Sequence, residues 1–218
     1  MADICVLDYG IGNLKSVSRS FEYHGADVIV TSKRESILSA KRLVIPGVGA
    51  FSDGMRELER LDLVSIIYEF ANTGKPVLGI CLGMQLLFDK SEENGSHNGL
   101  GLISGKNIKI PETETNGHKR RRKVPHVGWK PLDIDINVKP THPYFTGITD
   151  KNSCYFVHSY KAVPTDDECL VVETTYEDEK IVAFVAKKNI VGCQFHPEKS
   201  GPSGLALLKA FLKNGALK

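Results

Sequence analysis

Cys81 has the clearest chemical potential in this sequence, because it lies between two glycines in Gly79-Ile80-Cys81-Leu82-Gly83. An apolar run at residues 77–80 precedes it and a helical pattern at residues 84–88 follows, which predicts a sharp strand-to-helix turn. Such a turn exposes a nucleophile and leaves no room for side chains two residues to either side. The helix N-terminus would favour thiolate over thiol. The segment predicts a cysteine nucleophile, and an ordinary buried core cysteine is the alternative.

A partner for that nucleophile lies in the segment Gln194-Phe195-His196-Pro197-Glu198, which follows a strand pattern. A thiolate nucleophile works with a general base that is itself oriented by a third group. On an extended strand end, His196 and Glu198 project to the same side, so the carboxylate can reach the imidazole. The spacing predicts an acyl-transfer triad of Cys81, His196 and Glu198. A loop histidine beside an exposed glutamate is the alternative.

Two places in the sequence offer backbone N–H groups for an oxyanion. The N–H of Leu82 directly follows the nucleophile and would face an acyl group attached to Cys81. The loop at residues 46–51, Pro-Gly-Val-Gly-Ala-Phe, follows the third strand pattern, and its small residues let the backbone approach a ligand closely. Both are candidates for an oxyanion hole, although any tight loop uses glycine.

The order of elements decides whether these segments can meet. In the first half, short apolar runs alternate with helical patterns and short connections, which predicts a parallel sheet covered by helices on both faces. Residues 89–127 are polar, rich in glycine and interrupted by prolines. The stretches at 132–138, 153–160, 170–175, 181–186 and 190–195 then read as strands, before a closing amphipathic helix. We expect antiparallel strands that extend the parallel sheet or fold over it, in a single domain spanning residues 1–218.

Composition excludes several classes of protein. The 218 residues are 41% hydrophobic and 25% charged, as in an ordinary soluble domain and unlike disordered, collagen-like or coiled-coil chains. A formal charge of +2 gives no electrostatic case for nucleic acid or an anionic membrane, and no apolar run approaches the roughly 18 residues of a membrane span. Five widely spread cysteines do not form a disulfide framework, and the N-terminus lacks a signal-peptide pattern, so we expect a cytoplasmic protein.

At these segments the chain resembles the triad-type (class I) glutamine amidotransferases, which carry G-x-C-x-G and a later H-P-E. The matching segments cover nearly the whole chain in the right order, at residues 8–14, 45–51, 79–88, 125–129, 155–160 and 194–200. They narrow the resemblance to the branch that supplies ammonia to a cyclase of histidine biosynthesis. Together with the element order, the resemblance implies an α/β, flavodoxin-like three-layer sandwich.

The resemblance implies a reaction. Cys81 would attack the side-chain amide of L-glutamine, His196 would protonate the departing ammonia, and Glu198 would orient His196. Water would then hydrolyse the thioester to glutamate, and no metal or cofactor is expected. The residues implied to hold glutamine are Gly49, Gln85, Glu93, His158, Ser159 and Tyr160. The oxyanion hole is implied to be Val48, Gly49 and Leu82, with a peptide at Val48 that turns to complete it.

The resemblance also implies a protein partner. Ammonia would pass to a separate (β/α)8 cyclase subunit that forms a heterodimer with this chain and makes imidazole glycerol phosphate and aminoimidazole carboxamide ribotide. The residues implied to face that subunit are Asn13, Trp129, Tyr155 and Lys199. For Trp129 the sequence also allows a half-buried aromatic, and for Lys199 an ordinary solvated lysine.

Two features depart from the family pattern. Lys130 stands where asparagine is usual after Gly-Trp, and residues 112–123 form an insertion that ends in the basic run His-Lys-Arg-Arg-Arg-Lys. We expect the run to be a solvated loop, although a partner or phosphate contact and nucleic-acid binding stay open. The departures leave open an amidotransferase that supplies another acceptor, such as a surface-polysaccharide sugar. The sequence is also compatible with a stand-alone cysteine hydrolase and with a non-catalytic binding module.

Overall fold

The computed structural model describes residues 1–111, 113–115, 118–120, 122–134, 143–145 and 153–214. Its central sheet comprises β1 (Ile4–Leu7), β2 (Val28–Thr31), β3 (Leu43–Gly47), β4 (Val77–Cys81), β13 (Leu170–Tyr176), β14 (Glu179–Lys187) and β15 (Ile190–Cys193). The spatial order is β13-β14-β15-β4-β3-β1-β2. The five neighbouring strands β15, β4, β3, β1 and β2 pair in parallel. Strands β14 and β13 continue the sheet beyond β15 in antiparallel pairing. The predicted mostly parallel sheet is confirmed.

Six helices are present in the described part of the chain, and they cover both faces of this sheet. They are α1 (Leu14–Glu22), α2 (Arg34–Ser39), α3 (Phe51–Arg60), α4 (Leu63–Asn72), α5 (Leu82–Leu86) and α6 (Gly201–Lys213). Along β1, Ile4 and Val6 pack in one apolar cluster with α1 and α6, whereas Cys5 and Leu7 pack in another with α2, α3, α4 and α5. Because side chains alternate along a strand, one apolar run serves both cores. The result is the predicted three-layer α/β sandwich.

A second group of strands lies beside the central sheet. These strands are β5 (Phe88–Ser91), β6 (His97–Asn98), β7 (Ile103–Lys109), β8 (Thr113–Thr115), β9 (His118–Arg120), β10 (His126–Pro131), β11 (Ser153–His158) and β12 (Tyr160–Pro164). They form a four-stranded sheet in the order β12-β7-β5-β6 and the two ribbons β10-β11 and β8-β9. Strands β13 and β14 thus extend the central sheet, as expected, whereas β5 to β12 form separate sheets.

Three local expectations differ from the structure. The helix after Cys81 occupies Leu82–Leu86 rather than residues 84–88, since Phe88 already pairs with Ile103 in a strand. The polar region at residues 89–127 contains further strands, among which β7 alternates buried residues with more exposed ones. The strand expected at 132–138 is not found in its described part: β10 ends at Pro131, and of residues 132–134 only Asp133 forms an isolated bridge, with Glu173, while residues 135–138 lie outside the described residues. Among the described residues, every helix is too short or too polar to cross a membrane.

Candidate active site

The turn at Cys81 is held by contacts that exclude larger residues. Cys81 ends β4 with φ 54°, a left-handed conformation that is unfavourable for a non-glycine residue. A Cβ on Gly79 would lie 2.5 Å from the carbonyl oxygen of Gly83, and a Cβ on Gly83 would lie 1.8 Å from that of Ile45. Both glycines are therefore required for helix α5 to pack directly against strands β3 and β4.

Parallel register brings the predicted segments to one edge of the sheet. Gly47 at the end of β3 pairs with Cys81 at the end of β4, and Cys193 of β15 pairs with Ile80. The loop that carries Val48, the nucleophile turn and the segment leading to His196 therefore leave the sheet side by side. This edge is where ligands bind in open α/β sheets.

His196 and Glu198 form a buried pair. Nδ1 of His196 lies 2.8 Å from Oε1 of Glu198, and both side chains are at most 3% exposed. They do not share an extended strand end, as the spacing argument assumed. Instead a 3-10 turn at Pro197–Lys199 returns the carboxylate to the imidazole, and the N–H of His196 donates to the Tyr155 carbonyl at 2.9 Å.

The charge state of His196 follows from its neighbours. Burial alone would lower the pKa of His196, but the adjacent Cys81 and Glu198 outweigh it and raise the pKa to about 9. Nε2 of His196 has no hydrogen-bond partner among the described residues, while Nδ1 faces Glu198. The imidazole is thus held as a cation whose second N–H is available to a bound molecule.

A cavity of about 240 Å³ opens at this edge, and both Cys81 and His196 line it. It brings together all eight residues predicted for the oxyanion hole and glutamine binding, namely Val48, Gly49, Leu82, Gln85, Glu93, His158, Ser159 and Tyr160. Pro125 and Val157 complete the lining and were not predicted. The individual roles remain predictions, but the residues share one site.

The side chain of Gln85 is fixed in the cavity wall. Its Nε2 donates to the Tyr160 carbonyl at 3.1 Å and to Oε1 of Gln194 at 3.0 Å. Gln194 in turn places its amide nitrogen 3.7 Å from Sγ of Cys81. Gln194 was not among the predicted site residues, although its position two residues before His196 on a strand end was a usable signal. The buried amide of Gln194 links Sγ of Cys81 to the side chain of Gln85 in the cavity wall.

Glu93, rather than the neighbouring Glu92, faces the cavity. Oε2 of Glu93 accepts a hydrogen bond from the backbone N–H of Phe51 at 2.7 Å, which ties it to the loop that follows Gly49. Glu92 instead pairs with Lys106 at 2.7 Å, and its side chain is 50% exposed. The loop geometry therefore favours Glu93 as the acidic residue of the site.

Comparison with known proteins agrees with this geometry. The family description "Glutamine amidotransferase class-I" matches residues 5–214. The chain belongs to the class-I glutamine amidotransferases. That match does not test the prediction that residues 1–218 form a single domain, which stays a prediction.

Two similar amidotransferases show how far the likeness extends. "Imidazole glycerol phosphate synthase subunit HisH 1" of Legionella pneumophila strain Lens is 45% identical over 98% of this chain and 100% of that protein. "Imidazole glycerol phosphate synthase subunit HisH" of Lactococcus lactis strain IL1403 is 45% identical over 98% of this chain and 99% of that protein. A solved structure entitled "Crystal structure of glutamine amidotransferase" has a TM-score of 0.70 at 14% identity, covering 97% of this chain and 100% of that one, which supports the flavodoxin-like fold.

Three of the four residues predicted to face a partner form an exposed cluster on the amidotransferase. The rings of Trp129 and Tyr155 lie 5.8 Å apart, edge to face, and Nζ of Lys199 lies 5.9 Å from the Tyr155 ring centroid. Trp129 is 54% exposed, so it is not a core aromatic. Asn13 is exposed at the N-terminus of α1, where its side chain accepts from the Ser16 N–H, and its relation to a partner stays a prediction.

The basic insertion of the amidotransferase is not simply solvated. Arg122 is 3% exposed and forms ion pairs with Glu177, Asp178 and Glu179, the acidic turn between β13 and β14. The expectation of a solvated loop is therefore wrong for Arg122, because the complementary acidic turn lies far away in sequence and only tertiary folding brings it close. Nζ of Lys130, the other departure, lies 5.8 Å from the Tyr176 ring centroid.

The remaining cysteines of the amidotransferase differ from Cys81. Cys5, Cys154 and Cys193 are buried in the two apolar cores, while Cys169 is partly exposed. Burial raises the pKa of Cys5 and of Cys154 to about 12. These thiols stay protonated at neutral pH, which makes them poor nucleophiles. Within the described residues, no group of three or more histidine, cysteine or acidic side chains is arranged to hold a metal ion.

Proposed function

We propose that this amidotransferase is the glutaminase subunit of an imidazole glycerol phosphate synthase, hydrolysing L-glutamine and passing ammonia to a separate (β/α)8 cyclase subunit. The observation that carries the proposal is 45% identity over essentially the full length of proteins named as that subunit. The cavity shared by Cys81 and His196 supports it, since a thiol nucleophile and a proton donor are the two groups that amide hydrolysis needs.

The geometry supports a two-step reaction. Sγ of Cys81 attacks the side-chain carbonyl carbon of glutamine, and the C–N bond breaks as His196 Nε2–H gives its proton to the departing ammonia. A thioester and neutral His196 result. Water then attacks the thioester while His196 accepts its proton, which releases glutamate and restores the thiolate and imidazolium. Because the pKa of His196 is raised to about 9, the imidazole carries the required proton at neutral pH.

The negative oxygen of each tetrahedral intermediate requires N–H donors. The N–H of Leu82 follows the nucleophile directly, and the Val48–Gly49 loop lies beside it in the cavity. Gly49 has φ +101°, a conformation that glycine adopts without strain, so a change in the Val48–Gly49 peptide is open to this loop. We assign the oxyanion hole to these residues.

Ammonia transfer requires a partner close to His196. The exposed cluster of Trp129, Tyr155 and Lys199 lies on the same structural unit as the base, since Lys199 belongs to the 3-10 turn after His196 and the Tyr155 carbonyl accepts the His196 N–H. A cyclase bound at this cluster would receive ammonia next to where it is released. Binding there would also act directly on the position of His196.

The decisive experiment is to co-purify the partner of the full chain, identify it by mass spectrometry, and measure glutamate release with and without it. We expect a histidine-pathway cyclase and, with its nucleotide ligand present, an increase in glutamine hydrolysis of at least about fivefold, the lower end of ordinary allosteric coupling. Trp129→Ala should weaken the complex. The control Tyr23→Ala should not, because it removes an aromatic residue at the C-terminal end of α1 that is 74% exposed and lies outside the cluster. A sugar-modifying partner, or equal rates with and without the cyclase, would contradict the proposal.

A further inference from the structure

Two buried histidines are in contact at the substrate cavity: His158 lines it and His126 lies behind His158, and neither transfers a proton in the reaction described above. Nδ1 of His126 lies 2.9 Å from Nε2 of His158, and neither residue is more than 6% exposed. The His126 ring is stacked between two aromatic rings, Phe156 at 5.0 Å and Tyr176 at 4.0 Å between centroids. His126 begins β10, directly opposite His158 of β11.

The hydrogen bonds determine where the protons of this pair lie. Nδ1 of His158 lies 2.8 Å from the Tyr160 carbonyl, which can only accept, so that nitrogen carries the proton. Burial is the main cause that keeps both imidazoles neutral. It lowers the pKa of His126 to about 3 and the pKa of His158 to about 4. Nε2 of neutral His158 is therefore an acceptor, and His126 must donate to it from Nδ1.

This pair ends on the wall that holds the substrate. The Tyr160 carbonyl accepts from His158 and also from Nε2 of Gln85, which lines the cavity. Without the donor on His126, the buried Nε2 of His158 has no hydrogen-bond partner among the described residues, and only the bond from Nδ1 to the Tyr160 carbonyl holds the ring. The ring would then shift to find another donor for Nε2, and that shift would disturb the Tyr160 carbonyl that Gln85 also contacts.

We propose that His126 is a positioning residue for glutamine binding, because its N–H holds the His158 ring against the Tyr160 carbonyl and so fixes the Tyr160 and Gln85 wall of the cavity. This inference rests on the proposed glutaminase function. His126 itself does not line the cavity, so its effect is transmitted through His158.

The test compares three substitutions at His126 in the full chain. His126→Phe keeps an aromatic ring between Phe156 and Tyr176 but removes the donor. His126→Asn places an amide N–H near the former Nδ1, whereas His126→Gln places it near the former Nε2. The measurement is KM and kcat for glutamine hydrolysis, with thermal stability determined in parallel.

We expect the Phe and Gln variants to raise KM by about tenfold, the size of one buried hydrogen bond, with kcat changed far less. The Asn variant should restore KM to near the wild-type value. If Phe fails to fold, the Asn and Gln pair still decides the matter, because the two differ by one methylene. Equal KM in Asn and Gln variants, or losses that follow thermal stability alone, would overturn the inference.

Histidine ¹⁵N NMR provides a readout that does not depend on activity. In the wild type at neutral pH, both His126 and His158 should be neutral with the proton on Nδ1. The Nε2 resonance of His158 should show an accepted hydrogen bond in the wild type and the Asn variant, but not in the Gln variant. A wild-type His158 protonated on Nε2 would overturn the inference. If the wild type hydrolyses no glutamine, the proposed function fails, and these spectra still show whether His126 donates to Nε2 of His158.

Discussion

At the scale of single residues, Cys81 is distinguished from the other cysteines by backbone conformation and surroundings. It has φ 54° and lines a cavity with a cationic histidine, whereas Cys5 lies inside β1, buried on all sides. A strained, partly accessible position is one that packing alone would not select. The chemistry of this amidotransferase is therefore expected to depend on one sulfur atom.

Cys81→Ala should reduce glutamine hydrolysis by at least about a thousandfold, because no other nucleophile is available to form the thioester. The fold should persist, since the substitution removes only one atom at the cavity surface. Cys5→Ala is the matched control: it should retain hydrolysis and lower the free energy of unfolding by about 1 kcal/mol. Hydrolysis that survives in Cys81→Ala would contradict the proposed mechanism.

At the scale of elements, the site depends on how closely helix α5 approaches the sheet. Gly83 in α5 would place a Cβ 1.8 Å from the Ile45 carbonyl oxygen of β3, a backbone atom that cannot move without disturbing the strand. Gly54 in the neighbouring helix α3 would place its Cβ 3.2 Å from the Leu86 methyl groups, which can rotate away. The two helical glycines thus differ in whether the atoms nearest to an added methyl group can move.

Gly83→Ala should destabilise the protein by about 3 kcal/mol or more and reduce glutaminase activity, because the nucleophile turn must shift to relieve the clash. Gly54→Ala should change the free energy of unfolding by less than about 1 kcal/mol, since alanine also favours the helix. Chemical denaturation of both variants measures the difference. Equal effects would show that the close approach of α5 does not constrain the turn.

At the scale of the whole molecule, buried histidines with opposite pKa shifts link the site to stability. The raised pKa of His196 means that the folded state binds more protons than the unfolded state above pH 6.5, so stability falls as pH rises. The lowered pKa values of His126 and His158 act in the opposite direction, so stability falls as pH decreases below 6.5. The two effects place the maximum of stability near pH 6.5.

From these shifts we expect the free energy of unfolding to drop by about 2 kcal/mol between pH 6.5 and 8.5, and by about 3 kcal/mol between pH 6.5 and 5. His196→Gln should largely abolish the decrease in the free energy of unfolding above pH 6.5. His126→Phe should remove about half of the decrease below pH 6.5. Denaturant titrations at fixed ionic strength across this range measure both slopes. A stability that is constant from pH 5 to 8.5 would show that these histidines do not titrate as their surroundings dictate.

The sequence by itself determined the parallel sheet and the sharp turn at Cys81, and it predicted which residues line the cavity. Apolar runs serve both faces of a sheet only when helices cover both, and Gly79 reports a contact with Gly83 that is local in the chain. Family likeness placed Gln85 and Tyr160 in the site, and the cavity contains both.

Only the tertiary structure decided how the site is supported. Gln194 reaches Cys81, His126 reaches His158, and Arg122 reaches the acidic turn at Glu177 across distances of 32 to 113 residues in the chain. A polar side chain has no periodicity that reveals its partner, because a hydrogen bond depends on two elements meeting in space. For the same reason, the turn that joins Glu198 to His196 could not be distinguished from a strand end until both were placed against Tyr155.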